Sequence, residues 1–160
     1  MILVLLGTQD KRFDRLTDKL DELVKNGKIK DKVLLQSGQV KYNYTSMESF
    51  GTAKSQKEFA DLIKRANLII SHGGVGSIID CLRQDKPVIA FARLKEFKEA
   101  ANDHQKQIIE VFSKEGYIIK LDNIDDLEEK IKYSRVFKPK KYVSNNENFV
   151  NLIEDLIDRD

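Results

Sequence analysis

The sequence predicts one α/β domain, a parallel sheet with helices on both faces. Three observations carry that expectation. Short apolar runs alternate with segments of helical periodicity along the chain; the apolar runs are continuous, as strands buried on both faces require; and no internal repeat or low-complexity tract interrupts the order. With 160 residues, 41% hydrophobic and 34% charged, the chain can bury a real core beneath a heavily charged surface. Its 28 basic and 26 acidic residues leave a net charge of +2, which gives no reason to expect nucleic acid, since that partner needs a strongly basic face.

The elements follow in order. Residues 2–6 (ILVLL) form a buried strand ending at Gly7-Thr8. Phe13, Leu16, Leu20, Leu23 and Val24 recur at helical spacing up to a stop at Asn26-Gly27. A second strand covers residues 33–35, and the polar, aromatic stretch 39–52 carries no assignment. Phe59, Leu62 and Ile63 mark a short helix to Arg65. Residues 67–71 (NLIIS) are a strand running into HGGVGS, and Ile78, Ile79 and Leu82 place a helix after that loop. Pro87 opens a strand over 87–91, where its missing donor is tolerated. Asn102 with Gln105 fits a capping box at the start of the next helix. A strand over 117–120 and a helix with Ile124, Leu127 and Ile131 come next. After the connector SRVFKPKKY, residues 143–160 are expected to close the domain with an amphipathic helix bearing Phe149, Leu152, Ile153, Leu156 and Ile157.

In such a fold, ligands sit beyond the carboxyl ends of the strands. The loops at Gly7-Thr8-Gln9, His72 to Ser77 and Arg93 to Gln105 are therefore expected to meet in one cleft. Strand, then His72-Gly73-Gly74-Val75-Gly76-Ser77, then helix suits a phosphate. Glycines let the backbone approach closely, and a helix start offers unpaired N–H groups and partial positive charge. Ser77 adds a hydroxyl and His72 a ring donor for a diphosphate or a leaving oxygen; the alternative is a turn whose glycines serve only strand–helix packing. The chain lacks GxxxxGK[ST], Gly7-Thr8-Gln9-Asp10-Lys11 departs from GxGxxG, and no glycine stands two residues after Ser77 as a nucleophile elbow needs.

Asp80, three residues past Ser77, falls one helical turn on, where a carboxylate can accept from ribose hydroxyls or simply favour the helix dipole. His104 and Gln105 offer a donor and an amide to sugar hydroxyls, or a cap. Cys81 is the sole cysteine. It excludes an internal disulfide, is expected to be core, and fits a reducing cytoplasm. With only His72 and His104 as histidines beside it, a zinc site is not expected. The amino-terminal apolar run has no basic leader and is too short to span a membrane, so it reads as a strand and not a signal peptide.

The order SHGGVGSIID, then KPVIAFAR, then Glu99 and NDHQ resembles the donor-binding domain of GT-B glycosyltransferases. It is similar above all to small bacterial proteins of capsule and exopolysaccharide synthesis, themselves related to the catalytic subunit of the dolichol-pathway UDP-N-acetylglucosamine transferase. The resemblance runs from Gly7-Thr8, with Phe13-Asp14, through His104-Gln105. It implies a single Rossmann-like domain over residues 1–160, half of a GT-B fold, with a UDP-sugar as substrate and neither metal nor cofactor. Position by position, it implies Gly74, Gly76 and Ser77 at the diphosphate with His72 and Gly73 beside them, Asp80 at the ribose, and Glu99, His104 and Gln105 at the donor sugar. Gly7 and Thr8 lie by the cleft.

Two departures stand out: Asp80 replaces the usual Glu, one methylene longer, and Ala92 replaces a frequent Pro before Arg93. The resemblance also implies a second, membrane-anchored polypeptide that binds a lipid-linked saccharide acceptor, and so a cytoplasmic chain held peripherally at the inner face of the membrane. The closing helix, and Arg135, Lys138, Lys140 and Lys141 with Tyr133, Phe137 and Tyr142, are candidate docking elements; each also reads as ordinary packing or a solvated linker. A non-catalytic nucleotide-sugar-binding subunit is the alternative function, and a sugar-nucleotide epimerase a further one.

Overall fold

The computed structural model describes residues 1–143 and 147–158. Within the expected closing span, residues 144–146 and 159–160 and the side chains of Glu147, Asn148, Ile157 and Asp158 lie outside the described residues. Ile2–Leu5 (β1) is apolar throughout and buried throughout, because it lies inside the sheet. It pairs in parallel with Val33–Gln36 (β2) on one side and Leu68–Ser71 (β4) on the other. Val88–Phe91 (β5) continues from β4, and Ile119–Leu121 (β6) ends that half. Beyond β2 lies Glu48–Phe50 (β3), giving six parallel strands in the order β3-β2-β1-β4-β5-β6. The unassigned stretch thus contains an edge strand. Its Glu48 and Ser49 are exposed and carry no apolar run, so composition alone did not mark it.

Helices cover both faces. On one face lie Asp14–Lys25 (α1), which buries Leu16, Leu20 and Leu23, and Leu127–Ser134 (α5) with Leu127 and Ile131. They pack on Ile2, Val4, Ile70, Ile89 and Phe91. Val40, Tyr42 and Met47, from the irregular stretch, complete that core. The Tyr42 hydroxyl accepts from the Phe13 N–H at 2.9 Å, satisfying a buried donor at the start of α1. The other face carries Gln56–Arg65 (α2), Val75–Leu82 (α3), His104–Lys114 (α4) and Glu147–Asp158 (α6) over Leu3, Leu5, Ile69 and Ala90. Helix α2 starts three residues before Phe59 because Ser55 caps it, accepting from the Glu58 N–H at 3.1 Å.

The stripe of α6 is largely internal. Phe149, Ile153 and Leu156 are buried in the second core, and among the stripe's described residues only Leu152 is exposed. The Phe149 ring meets Phe112 and Tyr117 edge-on at centroid distances of 5.1 and 5.2 Å. In the connector, Lys140 donates its N–H to Gly116 O and places its ammonium beside Glu115 and over the Tyr117 ring. Arg135, Lys138 and Lys141 are exposed.

Candidate functional site

The chain leaves β1 toward β2 on one side, while β4 and β5 build the sheet on the other. Loops after adjacent strands then diverge and leave a crevice at the strands' carboxyl ends. A cavity of about 530 Å³ lies there. The loop after β1 (Gly7, Thr8, Gln9), Gln36 at the end of β2, Thr52, Ala53 and Ser55 ahead of α2, and Gln56 at its start line it. His72, Gly74, Gly76, Ser77 and Arg93 close it from the other half. Among the described residues no carboxylate lines it.

The glycines divide by role. A side chain on Gly73 would strike Gln105, with Gln105 Cβ only 2.5 Å away. One on Gly74 would meet the His72 ring at 2.4 Å, and one on Gly7 (φ +89°) would meet the same ring at 3.1 Å. These three allow close packing around His72 and Gln105. Gly76 differs, since nothing lies within 4 Å of where its Cβ would be. Helix α3 begins at Val75, so Gly76 and Ser77 sit in its first turn and not in the loop ahead of it. Their N–H groups belong to the unpaired set at a helix start.

His72 is buried, with no partner for Nδ1 among the described residues. Burial, and then the charge of Arg93, push its pKa from 6.5 to about 4. The ring is therefore neutral at pH 7, a hydrogen-bonding group and not a cation. The unfolded chain takes up this proton near pH 6.5 but the fold only near 4, so stability contributed by the neutral ring is present above 6.5 and lost as pH falls to about 4. The difference amounts to about 3 kcal/mol. Urea melts of wild type and His72→Gln at several pH values should show a flatter pH dependence for the variant across that window; parallel curves would contradict the assignment.

Gln105 does not complete a capping box. The Asp103 side chain makes no cap bond, and Asn102 Oδ1 accepts from the His104 N–H at 3.1 Å. The Gln105 amide oxygen instead accepts from the Gly73 N–H at 2.9 Å and the Arg93 N–H at 3.2 Å, tying the start of α4 to both loops. Glu99 is buried in a two-pronged pair with Arg15, at 2.6 and 2.9 Å, and accepts from the Leu94 N–H. Asp80 is partly exposed, with Arg83 3.8 Å away. His104 is half-buried in the first turn of α4. Asp80, Glu99, His104 and Gln105 do not line the cavity, whereas His72, Gly74, Gly76, Ser77, Gly7 and Thr8 do.

The third loop meets the cleft only through Arg93. Beyond it, Leu94 faces a separate cavity of about 740 Å³ with Arg15, Phe91, Lys106 and Lys120. Arg93 is 2% exposed despite the missing proline before it. Gln9 and Arg93 belong to loops expected at the cleft, whereas sequence reasoning missed Gln36, Thr52, Ser55 and Gln56 as lining residues; their shared signal is a polar side chain between the end of a strand and the start of a helix. Cys81 is buried, and that burial holds its thiol protonated. Among the described residues no group of three His, Cys, Asp or Glu could hold a metal ion, and no helix is long and apolar enough to cross a membrane.

Residues 1–159 match the glycosyltransferase family 28 C-terminal domain. A stretch of 100 residues, 59% of the chain, is 35% identical to the UDP-N-acetylglucosamine transferase subunit ALG13 of Candida albicans and covers 28% of that protein. Over 150 residues, 91% of the chain, identity is 25% to the Prochlorococcus marinus UDP-N-acetylglucosamine–N-acetylmuramyl-(pentapeptide) pyrophosphoryl-undecaprenol N-acetylglucosamine transferase, of which 40% is covered. The chain thus spans well under half the length of these curated relatives. Among solved structures, the fold is similar to the solution structure of ALG13 (TM-score 0.58, 22% identity, 94% of this chain and 93% of that one). It is also similar to the glycosyltransferase of kitacinnamycin (TM-score 0.56, 14% identity, 98% of this chain and 39% of that one).

Proposed function

The chain belongs to the glycosyltransferase family 28 C-terminal domain family, and from that premise we propose that it holds a UDP-sugar donor for transfer to a lipid-linked saccharide acceptor. The observation that carries the reading is the open space over Gly76 in the first turn of α3, inside a cavity that Arg93 lines and, among the described residues, no carboxylate does. A diphosphate placed there gains the free N–H groups and partial charge of the helix start. The Ser77 hydroxyl and the neutral His72 ring add donors, and leaving UDP is stabilised as its charge develops. No metal enters this reading. N-acetylglucosamine is the proposed sugar, supported by the names of the relatives from Candida albicans and Prochlorococcus marinus. Asp80, one turn along α3, is proposed for the ribose, and Glu99 and His104 for positioning the sugar's surroundings.

A cavity without a carboxylate offers no strong general base for the acceptor hydroxyl, and His72, with a pKa of about 4, is a weak one at neutral pH. The base is therefore proposed to come from a second, membrane-anchored polypeptide that binds the acceptor and holds this chain at the inner face of the membrane. The printed name of the Candida albicans relative, a transferase subunit, supports that division. Capsule or exopolysaccharide synthesis is the proposed setting, on the resemblance of the motif order. The same missing base also fits a subunit that binds the donor without turnover. Sugar transfer that needs both polypeptides and the lipid acceptor would separate the two.

Calorimetric titration with UDP tests the site itself. Wild type is expected to bind, Ser77→Ala to bind about tenfold more weakly through loss of one hydrogen bond to a charged group, and Gly76→Ala similarly by occupying the open space. Gly76→Ala should leave the melting temperature unchanged or raised, since alanine suits a helix better than glycine. No UDP binding by wild type, or unchanged affinity in both variants, would sink the assignment.

A further inference from the structure

Arg93 is a cation that the fold has buried without a counter-ion. Its Nε and one terminal nitrogen donate to Leu6 O, and its other terminal nitrogen lies 3.0, 3.3 and 3.2 Å from Lys11 O, Arg12 O and Glu99 O. The guanidinium stacks over the Phe13 ring at 4.8 Å. Among the described residues no carboxylate lies within ion-pair distance of it: the Glu99 carboxylate is bound to Arg15. Carbonyl dipoles satisfy the N–H groups but leave the net charge in place, and little water is present to screen it. Those carbonyls come from the loop after β1 and the loop after β5, the two walls that Arg93 joins beside the cavity.

We propose that Arg93 is the positioning and electrostatic residue of the diphosphate site, supplying positive charge from within the cavity wall and fixing the β1 loop against the β5 loop. This role rests on the donor reading above, because it requires the cavity's ligand to be an anion. At 2% exposure Arg93 offers the ligand almost no contact surface, so it acts by field and frame. The neighbouring His72 ring already registers that field, as the Arg93 charge opposes its protonation. An anion in the same place experiences the opposite sign.

Affinity for UDP and for uridine, measured by calorimetry, separates charge from scaffolding, because only UDP carries the diphosphate. Arg93→Met is expected to weaken UDP about tenfold or more while uridine changes less than about twofold. Arg93→Lys, which keeps the charge but loses the fork, should retain the UDP-to-uridine ratio within about twofold even with lower stability. Arg93→Gln, which removes the charge but keeps amide donors for the carbonyls, should lower that ratio as Arg93→Met does and remains informative if Arg93→Met fails to fold. The proton resonances of His72 should titrate at higher pH in Arg93→Met than in wild type. Parallel loss of UDP and uridine, or a ratio unmoved in Arg93→Gln, overturns the role while leaving the donor site standing. Failure of wild type to bind UDP overturns both.

Discussion

Alanine at Gly73 should abolish measurable UDP binding and lower the melting temperature by about 6–12 °C. The added methyl has nowhere to go. It would stand 2.5 Å from Gln105 Cβ and 2.8 Å from Gln105 O, and the backbone of α4's first turn cannot swing aside as a flexible side-chain end can. Overpacking of this kind costs about 1–3 kcal/mol. As α4 shifts, the Gln105 oxygen leaves the N–H groups of Gly73 and Arg93, and each lost bond adds about 1 kcal/mol. The lower end of that sum, about 3 kcal/mol, gives the melting shift for a domain of this size. The loop then no longer presents the α3 start to the cavity. Thermal melts and UDP calorimetry on the purified variant check both parts. Wild-type UDP affinity in Gly73→Ala would show that Gln105 does not hold the loop in its working shape.

The second large effect is expected at Phe149. Truncation to alanine should destabilise the fold by about 3–5 kcal/mol. The ring is buried among Phe112, Tyr117 and Tyr142, with edge-on centroid distances of 5.1 to 6.3 Å. Area burial and aromatic edge contacts both vanish with it. If α6 instead belonged to a partner and rested loosely on its own sheet, Phe149→Ala would melt within about 1 kcal/mol of wild type. Denaturant unfolding decides between the two. The exposed Leu152 on the same helix is the control, since its substitution should barely change stability.

What the sequence disclosed, and what it withheld, follows from how far each signal reaches. β1, β2, β4 and β5 are interior strands, so both faces must be apolar and their runs are continuous. β3 is an edge whose Glu48 and Ser49 face water, and nothing local distinguishes it from loop. The glycine loop was legible as a place for an anion because its neighbours in sequence are its neighbours in space. Its internal division was not: the partners that crowd Gly73 and Gly7 are Gln105 and His72, distant in sequence. Gln105 was misread for the same reason. Its spacing from Asn102 matches a cap, but its acceptor bonds go to Gly73, 32 residues away, and to Arg93. The partner of Glu99 is equally remote, since Arg15 lies 84 residues earlier. Arg93 opens a loop expected at the cleft, but its burial gave no sign, since a lone arginine after a strand ordinarily faces solvent.

The place of β1 inside the sheet bears on how the chain acquires its fold as it is made. β1 emerges first, and its two pairing edges are satisfied by strands that arrive at different times: β2 by residue 36 and β4 only by residue 71. Until the ribosome has delivered the second of these, the most apolar strand of the protein presents a bare row of amide and carbonyl groups to its surroundings. Parallel pairing across such a span is slow and exposes the nascent chain to misassociation. The early βαβ unit of β1, α1 and β2, with α1 covering one side, is the piece able to consolidate during that interval.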